Sequence, residues 1–426
     1  MSSQTKALAG VRVAFITQWF PPEPAQVPLQ IADALRRSGA SLQVLTGIPN
    51  YPSGVVHPGY RPWRRKLEMV EGLQVIRSPL FPSHDQSAVH RLANYGSFAL
   101  TTSLLGQATM RSADVVVVYS SPATAALPAM LASSAWGTPF VIIVQDLWPE
   151  TVMQSPMSPS GPSRALLRRA LGHFDRVSNS KAGHILVTSP GMKGALVERG
   201  VPEAKVSTMF NWAHDDDSLG GAKTGELRRR IGIGDSELLF LYGGNMGEAQ
   251  ALSQWIEGIA RARDLEGTHF ALMGPGVERH SLMSQAKSLE LHNVSFPEPV
   301  SSMEFARLAT DADALIVSLS DAPIFTITIP SKIQTSLAMG CAVLGTVNGD
   351  AAAVLTESGA GLVSPPQDVV GIGSLIRRAV AEGRAGLEAR GNLGRQYYLR
   401  EMSEQKGTAI LVETLTEVAE LNRRSA

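Results

Sequence analysis

The sequence contains very little cysteine and comparatively little charge. Cys341 is the only cysteine in 426 residues, which excludes an intrachain disulfide and a cysteine-ligated metal site. Charged residues make up 18% of the chain, below the usual share of about 25%. Hydrophobic residues make up 44%, which excludes an intrinsically disordered chain. The lack of disulfides favours a reducing cytoplasmic location.

Long apolar runs and several catalytic motifs are also missing. Val11–Thr17 has the length of a buried strand rather than of a secretion signal, and Leu92–Met110 is too polar for a membrane span. The histidines show no HExxH spacing, and neither GxxxxGK[ST] nor GxSxG occurs. The sequence therefore gives no support for a zinc hydrolase, a phosphate-loop ATPase or an α/β-hydrolase.

Net charge is zero over the whole chain, but the two halves differ in sign. Residues 1–210 hold 19 basic and 11 acidic residues, a net +8, and residues 211–426 hold 19 and 27, a net −8. A basic half could face phosphates, nucleic acid or an anionic membrane. Divergence in charge between two domains explains the pattern equally well, so both interpretations stay open.

The first half alternates short runs rich in Val, Ile and Leu with helical stretches. Continuous apolar runs are typical of strands that are buried on both faces of a parallel sheet. This alternation predicts a doubly wound α/β domain. The predicted strands are Val11–Thr17, Ser41–Gly47, Leu73–Ser78, Asp114–Ser120, Pro139–Asp146, His184–Ser189 and Lys205–Phe210.

The second half repeats this pattern and predicts a second α/β domain. Its predicted strands are Leu238–Tyr242, His269–Met273, Val294–Phe296, Ala314–Leu319, Ala342–Val347 and Gly361–Val363. We therefore divide the chain into a first Rossmann-like domain (1–210), a linker (211–235), a second Rossmann-like domain (236–390) and a C-terminal helix (391–426) that packs back on the first domain. Ligands bind beyond the carboxyl ends of parallel strands, so we expect a cleft between the domains.

Two segments of the second domain suggest an anion site. Gly243, Gly244 and Gly247 follow its first strand, and glycines there let backbone N–H groups approach a phosphate. The segment that starts at Pro330 predicts a helix that ends at Gly340. Lys332 lies in the first turn of that helix, where the helix dipole disfavours a cation unless an anion is bound nearby. The alternatives are a tight turn for the glycines and a lysine that points into water.

Polar and aromatic residues follow an apolar strand of the first domain. Asp146, Trp148 and Glu150 come directly after this strand, at the edge where ligands bind. A carboxylate there can orient a hydroxyl or transfer a proton, and Trp148 can stack on a sugar. The alternatives are a helix-capping aspartate and a core tryptophan.

Two more loops reach the same edge of the first domain, and one acidic run suggests a metal site. The loops carry Glu23 and Tyr51, after the first and second strands, and either could contact a ligand or be a stiff connection. Asp215–Asp217 matches an Asp-x-Asp metal motif. Because this run lies in the linker, a solvated charge run is the favoured interpretation. Asp311 and Asp313 are interpreted as part of a helix-to-strand turn. We expect no metal site.

Several short motifs in order resemble the retaining family-4 glycosyltransferases of the GT-B fold. The resemblance is greatest to a bacterial subgroup that builds O-antigen, capsule and exopolysaccharide, such as the N-acetylfucosamine transferases, and it runs from Val11 to about Tyr398. The motifs that carry it are Phe20–Glu23, Asn50–Pro52, Gln145–Glu150, Thr188–Lys193 with Gly200, Asn211–Trp212, Gly243–Gly247 and Pro330–Lys332.

The resemblance implies transfer of a sugar from a nucleoside-diphosphate sugar, with retention at the anomeric carbon and without a cofactor or metal. The donor would bind the second domain and the acceptor the first. Lys332 and Asp146 would be the catalytic residues, Asp146 standing where the family often has a histidine that contacts the donor sugar. The donor-binding residues would be Gly243, Gly244, Asn245, Met246, Gly247, Phe296, Ser331, Thr335 and Asp350, and the acceptor-side residues would be Glu23, Tyr51, Trp148 and Glu150.

The chain departs from the family pattern at the donor site. The two acidic residues typical of the family would fall at Ile327 and Thr335, and two basic residues of the glycine loop would fall at Asn245 and Gln250. Asp350 is considered as a substitute contact to the donor sugar. Lys332 then becomes the main cation for the diphosphate.

From these features we expect a retaining glycosyltransferase, with a UDP-sugar favoured as donor and a lipid-linked saccharide as acceptor. The basic segment Arg61–Lys66 near the apolar stretch Leu92–Leu105 favours peripheral attachment to the inner face of an anionic membrane. No nucleic-acid partner is expected. Two alternatives remain, a non-catalytic sugar-nucleotide-binding partner and a nucleotide-sugar 2-epimerase.

Overall fold

The computed structural model describes residues 7–84, 87–154, 161–213 and 221–425. These residues form two compact units. Unit 1 comprises residues 1–209 with 407–426, and unit 2 comprises residues 210–406. Both units have the predicted α/β architecture, a parallel sheet with helices between its strands. The C-terminal residues thus belong to unit 1, and the division near residue 406 lies later than the predicted boundary at 390.

Unit 1 contains an eight-stranded sheet in the order β3-β4-β2-β1-β5-β6-β7-β8, parallel except for the β3–β4 pair. Its strands are β1 (Arg12–Ile16), β2 (Ser41–Gly47), β3 (Lys66–Val70), β4 (Leu73–Ser78), β5 (Val115–Ser120), β6 (Phe140–Val144), β7 (His184–Val187) and β8 (Val206–Thr208). Its helices before residue 200 are α1 (Gln26–Arg37), α2 (Ala88–Leu105), α3 (Gln107–Ser112), α4 (Leu127–Trp136), α5 (Glu150–Gln154), α6 (Gly161–Lys181) and α7 (Pro190–Glu198).

Unit 2 contains a fully parallel six-stranded sheet in the order β11-β10-β9-β12-β13-β14. Its strands are β9 (Leu238–Gly243), β10 (Thr268–Met273), β11 (Val294–Ser295), β12 (Ala314–Ser318), β13 (Ala342–Thr346) and β14 (Gly361–Ser364). Its helices are α8 (Glu226–Ile231), α9 (Leu252–Arg261), α10 (Arg279–Ser288), α11 (Ser302–Ala309), α12 (Ser331–Met339), α13 (Gly349–Glu357) and α14 (Val369–Tyr397). The last helix of the chain, α15 (Glu404–Ser425), belongs mostly to unit 1.

The strand order places a switch point in each sheet. In unit 2 the chain runs outward from β9 to β11 and then returns to the other side of β9 with β12. In unit 1 the corresponding point lies between β1 and β5. Loops that leave neighbouring strands in opposite directions open a crevice at the carboxyl edge, where ligands of such sheets bind.

Apolar packing fixes the predicted strands, and all thirteen of them form. The central strands β5, β6, β10, β12 and β13 are buried at every residue. Because both faces are covered by helices, continuous apolar runs rather than alternating ones identify them. The predicted helix end at Gly340 is confirmed, since this residue adopts a left-handed conformation with a φ of 67°.

Three details differ from the sequence predictions. Strand β3 was not predicted, because its exposed Leu67 and Met69 give it an alternating rather than a continuous apolar pattern. The predicted linker contains the short helix α8, which Asp311 holds by accepting from the Leu227 N–H at 2.8 Å. The C-terminal stretch is two helices rather than one, since Ser403 has an extended backbone before α15.

Over the part of the chain that the structure describes, no helix has the length and apolarity to cross a membrane.

Candidate functional site

Unit 2 has a cavity of about 310 Å³ at its switch point. It opens beside the ends of β9 and β10 and the start of α12, which places it at the carboxyl edge of the sheet. The lining residues are Leu241, Gly243, Gly244, Met273, Gly274, Pro275, Val300, Ser302, Phe305, Ala306, Leu315, Ile316, Ser331, Lys332, Thr335 and Ser336. The structure thus brings together four of the predicted donor-binding residues, Gly243, Gly244, Ser331 and Thr335, with the predicted catalytic residue Lys332.

Lys332 is the one cation among these lining residues. Its Nζ donates to the Tyr242 hydroxyl at 2.7 Å and lies 4.0 Å from the centre of that ring. The Tyr242 hydroxyl in turn donates to the Asn245 carbonyl at 2.5 Å, so the tyrosine holds the ammonium against the glycine loop. Burial lowers the pKa of Lys332 to about 8, because desolvation disfavours the charged form. A buried ammonium gains most from an anion, because the attraction between the two charges replaces the solvation that water would supply.

The backbone of the glycine loop is less available to a ligand than predicted. The Gly244 N–H donates to the Met273 carbonyl at 3.0 Å, and the Met246 N–H donates to the Pro275 carbonyl at 2.7 Å. The N–H groups of Gly244 and Met246 are therefore engaged by the protein rather than offered to a phosphate. Gly244 instead leaves room for the Lys332 side chain, because a Cβ at this position would lie 2.7 Å from Lys332 Cε.

Two residues that the sequence analysis did not assign support this loop. Gln250 was noted only as a departure from the family, yet its Oε1 accepts from the Gly247 N–H at 3.1 Å and closes the loop. Gly274 has a φ of 152°, and a Cβ there would lie 1.9 Å from the Gly244 carbonyl oxygen. The signal that could have found Gly274 is its position directly after a buried strand, next to Pro275 and Gly276.

Other predicted donor-site residues lie outside the lining of this cavity. Met246 is fully buried in the hydrophobic core, and Phe296 packs against the same core. Asn245 and Gly247 lie in the glycine loop, and Asp350 lies in the first turn of α13. Val300, four residues after Phe296, does line the cavity.

Unit 1 has a larger cavity of about 500 Å³, also at its switch point. The residues that line it follow β1, β2, β5 and β6 or lie on the helices nearby. They are Trp19, Pro24, Ala25, Gln26, Val27, Pro28, Tyr51, His84, Arg91, Leu92, Tyr95, Tyr119, Ser121, Pro122, Asp146, Trp148, Thr151, Val152 and Leu167. Asp146, Tyr51 and Trp148 are therefore brought together, as the sequence analysis expected.

Asp146 is the one carboxylate among the described residues that line this cavity. Its Oδ2 accepts from the Ser121 hydroxyl at 3.2 Å. Burial raises the pKa of Asp146, and the hydrogen bond from Ser121 opposes that rise. A half-buried carboxylate with a single neutral donor keeps acceptor capacity for the hydroxyl groups of a ligand.

Aromatic rings form much of the remaining wall. The Trp19 and Tyr51 ring centres lie 5.1 Å apart, and the Trp19 and Tyr95 centres lie 6.3 Å apart. Trp148 contributes to the lining and is also only 5% exposed, packed with Met153 and Leu171, as expected of a core tryptophan. Such rings present flat apolar faces of the kind on which sugar rings stack.

Neither Glu23 nor Glu150 is among the residues that line the cavity. Glu23 is 3% exposed, and its two oxygens accept from the backbone N–H groups of Phe20, Asn50 and Tyr51 at 2.8–3.0 Å. Glu150 accepts from Arg199 at 2.7 Å. The prediction that Glu23 faces the acceptor is corrected to a supporting role, because its carboxylate is engaged by three backbone N–H groups. The acceptor-side role of Glu150 stays a prediction.

The acidic runs do not form a metal site among the residues that the structure describes, where no group of three potential ligands comes together. Asp215–Asp217 lies outside the described residues. Asp311 caps the segment before α8 by accepting from the Thr224, Gly225 and Leu227 N–H groups. Asp313 pairs with Arg228 at 2.7 Å, so both aspartates belong to the framework of unit 2. They lie between the end of α11 and the start of β12, which confirms the predicted helix-to-strand turn.

The comparisons with known proteins agree with this architecture. Residues 24–212 match the family model of the glycosyl transferase 4-like domain, and residues 237–382 match that of the glycosyl transferases group 1. The two matches together span most of the chain, one in each unit. The chain belongs to the GT-B glycosyltransferases.

A curated relative and two solved structures show how far the similarity extends. WcaI of Escherichia coli strain K12, provisionally named a colanic acid biosynthesis glycosyl transferase, is 26% identical over 73% of this chain and 76% of its own length. Sucrose-phosphate synthase of Thermosynechococcus elongatus superposes with a TM-score of 0.72 at 14% identity, over 96% of this chain and 98% of its own. Anabaena HepE, solved with UDP and glucose, gives 0.65 at 14% identity, over 96% and 100%. These two structures support the fold alone.

Proposed function

We propose that this glycosyltransferase transfers a sugar from a nucleoside-diphosphate sugar, preferentially a UDP-sugar, to a lipid-linked saccharide, with retention at the anomeric carbon. The product would enter a cell-surface polysaccharide or glycoconjugate. The observation that carries the proposal is Lys332, whose buried ammonium lies beside a glycine loop in the cavity of unit 2. A cation held in a partly dry cavity at a helix start is suited to a diphosphate.

The chemistry follows from the charge that develops on the leaving group. As the bond from the anomeric carbon to the diphosphate oxygen breaks, negative charge builds up on that oxygen. Lys332 and the start of α12 at Ser331 are already in place to stabilise it, without reorganisation. The acceptor hydroxyl forms the new bond to the anomeric carbon on the same face, and its proton passes to the departing phosphate. In this mechanism neither a metal ion nor a carboxylate base is required.

The nucleoside would be held by neutral groups. Among the described residues, no carboxylate lines the cavity of unit 2, and the polar lining apart from Lys332 consists of hydroxyls, including Ser331, Thr335 and Ser336. Hydroxyls can donate to or accept from a ribose, although with less free energy than a charged partner. We favour UDP by analogy with HepE, a structure of the same fold that was solved with UDP and glucose.

The acceptor would bind unit 1 and come from a membrane. The name of WcaI assigns that protein to the biosynthesis of colanic acid, and the sequence motifs resemble the N-acetylfucosamine-transferase-like subgroup. Exposed apolar side chains of unit 1, including Trp63, Leu67 and Met69, lie beside the basic segment Arg61–Lys66. This combination suits peripheral attachment to an anionic leaflet. We propose a cytoplasmic enzyme that works at that surface.

The first experiment is thermal unfolding of the full chain with UDP, GDP, dTDP, CDP and ADP, followed by turnover assays with sugar donors of the nucleotide that binds. A ligand at 100 times its Kd stabilises the native state by about 2.7 kcal/mol. Lys332→Ala should abolish most of this shift and lower turnover about 10²–10³-fold, the usual effect of losing one preorganised donor. Lys287→Ala, at an exposed lysine of α10, is the matched control.

Each outcome has a distinct meaning. A shift with one nucleotide that disappears in Lys332→Ala supports the proposal and names the base. Wild-type turnover in Lys332→Ala contradicts the role of the lysine. Nucleotide binding without turnover favours the second candidate, a non-catalytic partner, which the hydroxyl at Thr335 in place of a family carboxylate suggests. A free nucleotide-sugar product without an acceptor would indicate an epimerase.

A further inference from the structure

Behind the cavity of unit 2, a row of hydrogen bonds ends at the ammonium of Lys332. The Lys332 Nζ donates to the Tyr242 hydroxyl at 2.7 Å, and this hydroxyl lies 2.5 Å from the Asn245 carbonyl oxygen. The peptide unit that carries this carbonyl is held on its other side, because its N–H, that of Met246, donates to the Pro275 carbonyl at 2.7 Å. The row therefore connects the loop after β10 to the glycine loop and, through the tyrosine, to the start of α12.

The direction of these hydrogen bonds follows from the chemistry of the groups. A carbonyl oxygen only accepts and an ammonium only donates. The Tyr242 hydroxyl must therefore give its one proton to the Asn245 carbonyl and accept from Lys332 with a lone pair. Burial raises the pKa of Tyr242, so the hydroxyl keeps this proton at neutral and moderately alkaline pH. Hydrogen bonds in such a row polarise one another, which strengthens the acceptor that meets the ammonium.

Tyr242 thereby determines where the ammonium lies. The tyrosine is fully buried, and the Lys332 Nζ also lies 4.0 Å from the centre of its ring. Gly244 leaves space for the ammonium on another side, since a Cβ there would lie 3.0 Å from Nζ. An ammonium has three N–H donors, and among the described residues the Tyr242 hydroxyl is the acceptor for one of them. The other two donors are available to a ligand of the cavity that Lys332 lines.

We propose that Tyr242 is a positioning residue for the donor, whose hydroxyl holds the Lys332 ammonium so that two of its N–H groups meet the diphosphate. Tyr242 is not among the residues that line the cavity, so it acts through the lysine. The glycine loop contributes through the Asn245 carbonyl, which orients the tyrosine, rather than through the amides of Gly244 and Met246. The inference deepens the proposed function, on which it rests, because it identifies the group that prepares the cation for the leaving diphosphate.

A neutral partner suits this role better than a charged one. A carboxylate in the place of the Tyr242 hydroxyl would neutralise the ammonium and compete with the diphosphate for it. A hydroxyl that is itself fixed by a carbonyl holds the ammonium and leaves its charge uncompensated. Among the described residues, Lys332 is the only charged one that lines the cavity, so its positive charge remains for the ligand.

The test is NMR spectroscopy of the full chain with ¹³C-labelled lysine, in which the Lys332 Cε signal is assigned by its loss in Lys332→Arg. The first readout is the pH midpoint of this signal in the free protein, which should lie at about 8 in wild type. The second is the Kd for UDP and for inorganic pyrophosphate, taken from the shift of the same signal at pH 7. Pyrophosphate has the diphosphate without a nucleoside, so it tests the contact with Lys332 alone.

Tyr242→Phe should lower the pH midpoint by about 0.5–1 unit, because the ammonium loses the oxygen that favours its charged form. The substitution should weaken UDP and pyrophosphate by the same factor, roughly 10-fold, the usual effect of losing a hydrogen bond to a charged group. A variant that merely loosens the loop would admit water to Lys332 and raise the midpoint toward the ordinary lysine value of about 10.4. The direction of the shift therefore separates a positioning role from a structural one.

Tyr398→Phe is the matched control, because it removes another buried hydroxyl of unit 2. Tyr398 is as buried as Tyr242, and its hydroxyl accepts from the Ala213 N–H at 3.2 Å. This control should leave the Lys332 midpoint and both Kd values unchanged. The inference is overturned if Tyr242→Phe raises the midpoint or leaves it in place, or if either ligand is weakened less than twofold. Weakening of UDP alone would place the loss in the nucleoside site.

The two ligands also separate failure of this inference from failure of the proposed function. If neither UDP nor pyrophosphate moves the Lys332 signal of the wild-type protein, the proposed function fails and this inference fails with it. If both bind wild type and Tyr242→Phe equally well, the donor proposal stands and only the role of Tyr242 is wrong. If pyrophosphate binds and UDP does not, the choice of base is wrong, and pyrophosphate still decides the role of Tyr242.

Discussion

Burying the ammonium of Lys332 costs free energy of desolvation, but it also prepares this group to bind an anion. Its ammonium is buried next to a neutral hydroxyl, Tyr242, and a ring face. Neither group carries the full negative charge that would offset desolvation, and this is why the pKa of Lys332 falls to about 8. The free site is therefore poised for an anion, which supplies the missing charge.

The lowered pKa of Lys332 predicts a pH dependence of nucleotide affinity. A bound diphosphate favours the ammonium and raises its pKa above the value of about 8 in the free protein. The affinity for UDP should be full below about pH 8 and fall as pH rises through 8, by up to about tenfold per pH unit. Calorimetric Kd values from pH 6.5 to 9.5 measure this.

Lys332→Arg is the control for that titration, because a guanidinium stays protonated throughout this range. In this variant the Kd should vary less with pH than in wild type, whatever its absolute value. A wild-type Kd that is constant between pH 7 and 9.5 would show that the lysine does not contact the diphosphate.

At the scale of elements, one buried carboxylate joins two loops of unit 1. Glu23 lies after β1, and it accepts from N–H groups in its own loop and in the loop after β2, which carries Tyr51. The aromatic wall of the cavity therefore depends on a residue that does not line it. In unit 2 a side chain holds a single loop instead, because Gln250 Oε1 accepts from the Gly247 N–H of the glycine loop.

Glu23→Gln should destabilise unit 1 and loosen its aromatic wall. The substitution replaces an acceptor oxygen by an NH₂ group, which leaves at least one buried backbone N–H unsatisfied, at about 1–3 kcal/mol. We expect a lower unfolding midpoint and weaker binding of methyl α-glucoside, with the UDP-induced shift retained. Glu150→Gln, which removes a carboxylate paired with Arg199 at the surface, is the comparison. Equal effects of the two variants on sugar binding would contradict the role of Glu23.

At the scale of the whole molecule, the two halves of the chain differ in net charge. The difference reflects either a membrane-binding role or divergence in charge between the two domains. Residues 1–210 carry +8 and residues 211–426 carry −8. The basic half contains the segment Arg61–Lys66 with the exposed Trp63, next to the edge strand β3. If the protein binds a membrane, this surface should contact it. If the charge difference arose by divergence alone, this surface should bind no membrane.

Co-sedimentation with vesicles decides between these two explanations. Basic residues near an anionic surface contribute about 1 kcal/mol each, and this attraction is screened by salt. We expect binding to anionic vesicles at 50 mM salt, loss of binding at 500 mM, and little binding to neutral vesicles. Joint replacement of Arg61, Arg64 and Arg65 by Gln should weaken binding at least 10-fold. Joint replacement of Arg36 and Arg37, which pair with Asp33, should matter less. Binding that does not fall with salt would contradict the proposal.

The sequence by itself determined the α/β class, the strands buried on both faces and the helix that ends at Gly340. These features depend on local patterns, a continuous apolar run or a glycine at a helix end. Such patterns are present in the sequence itself and do not depend on tertiary contacts. It also indicated Lys332, Asp146, Tyr51 and Trp148 as residues of the carboxyl edges, because that edge follows from strand order and direction alone.

Only the tertiary structure decided which of these residues line a cavity and which hold others in place. Glu23 and Tyr51 look equally available in the sequence, yet the fold turns the carboxylate inward to three backbone N–H groups and the ring toward the cavity. The amides of Gly244 and Met246 are occupied by the next loop, and Lys332 acquires its lowered pKa from burial. Hydrogen-bond partners and desolvation depend on groups distant in sequence, so no local pattern contains them.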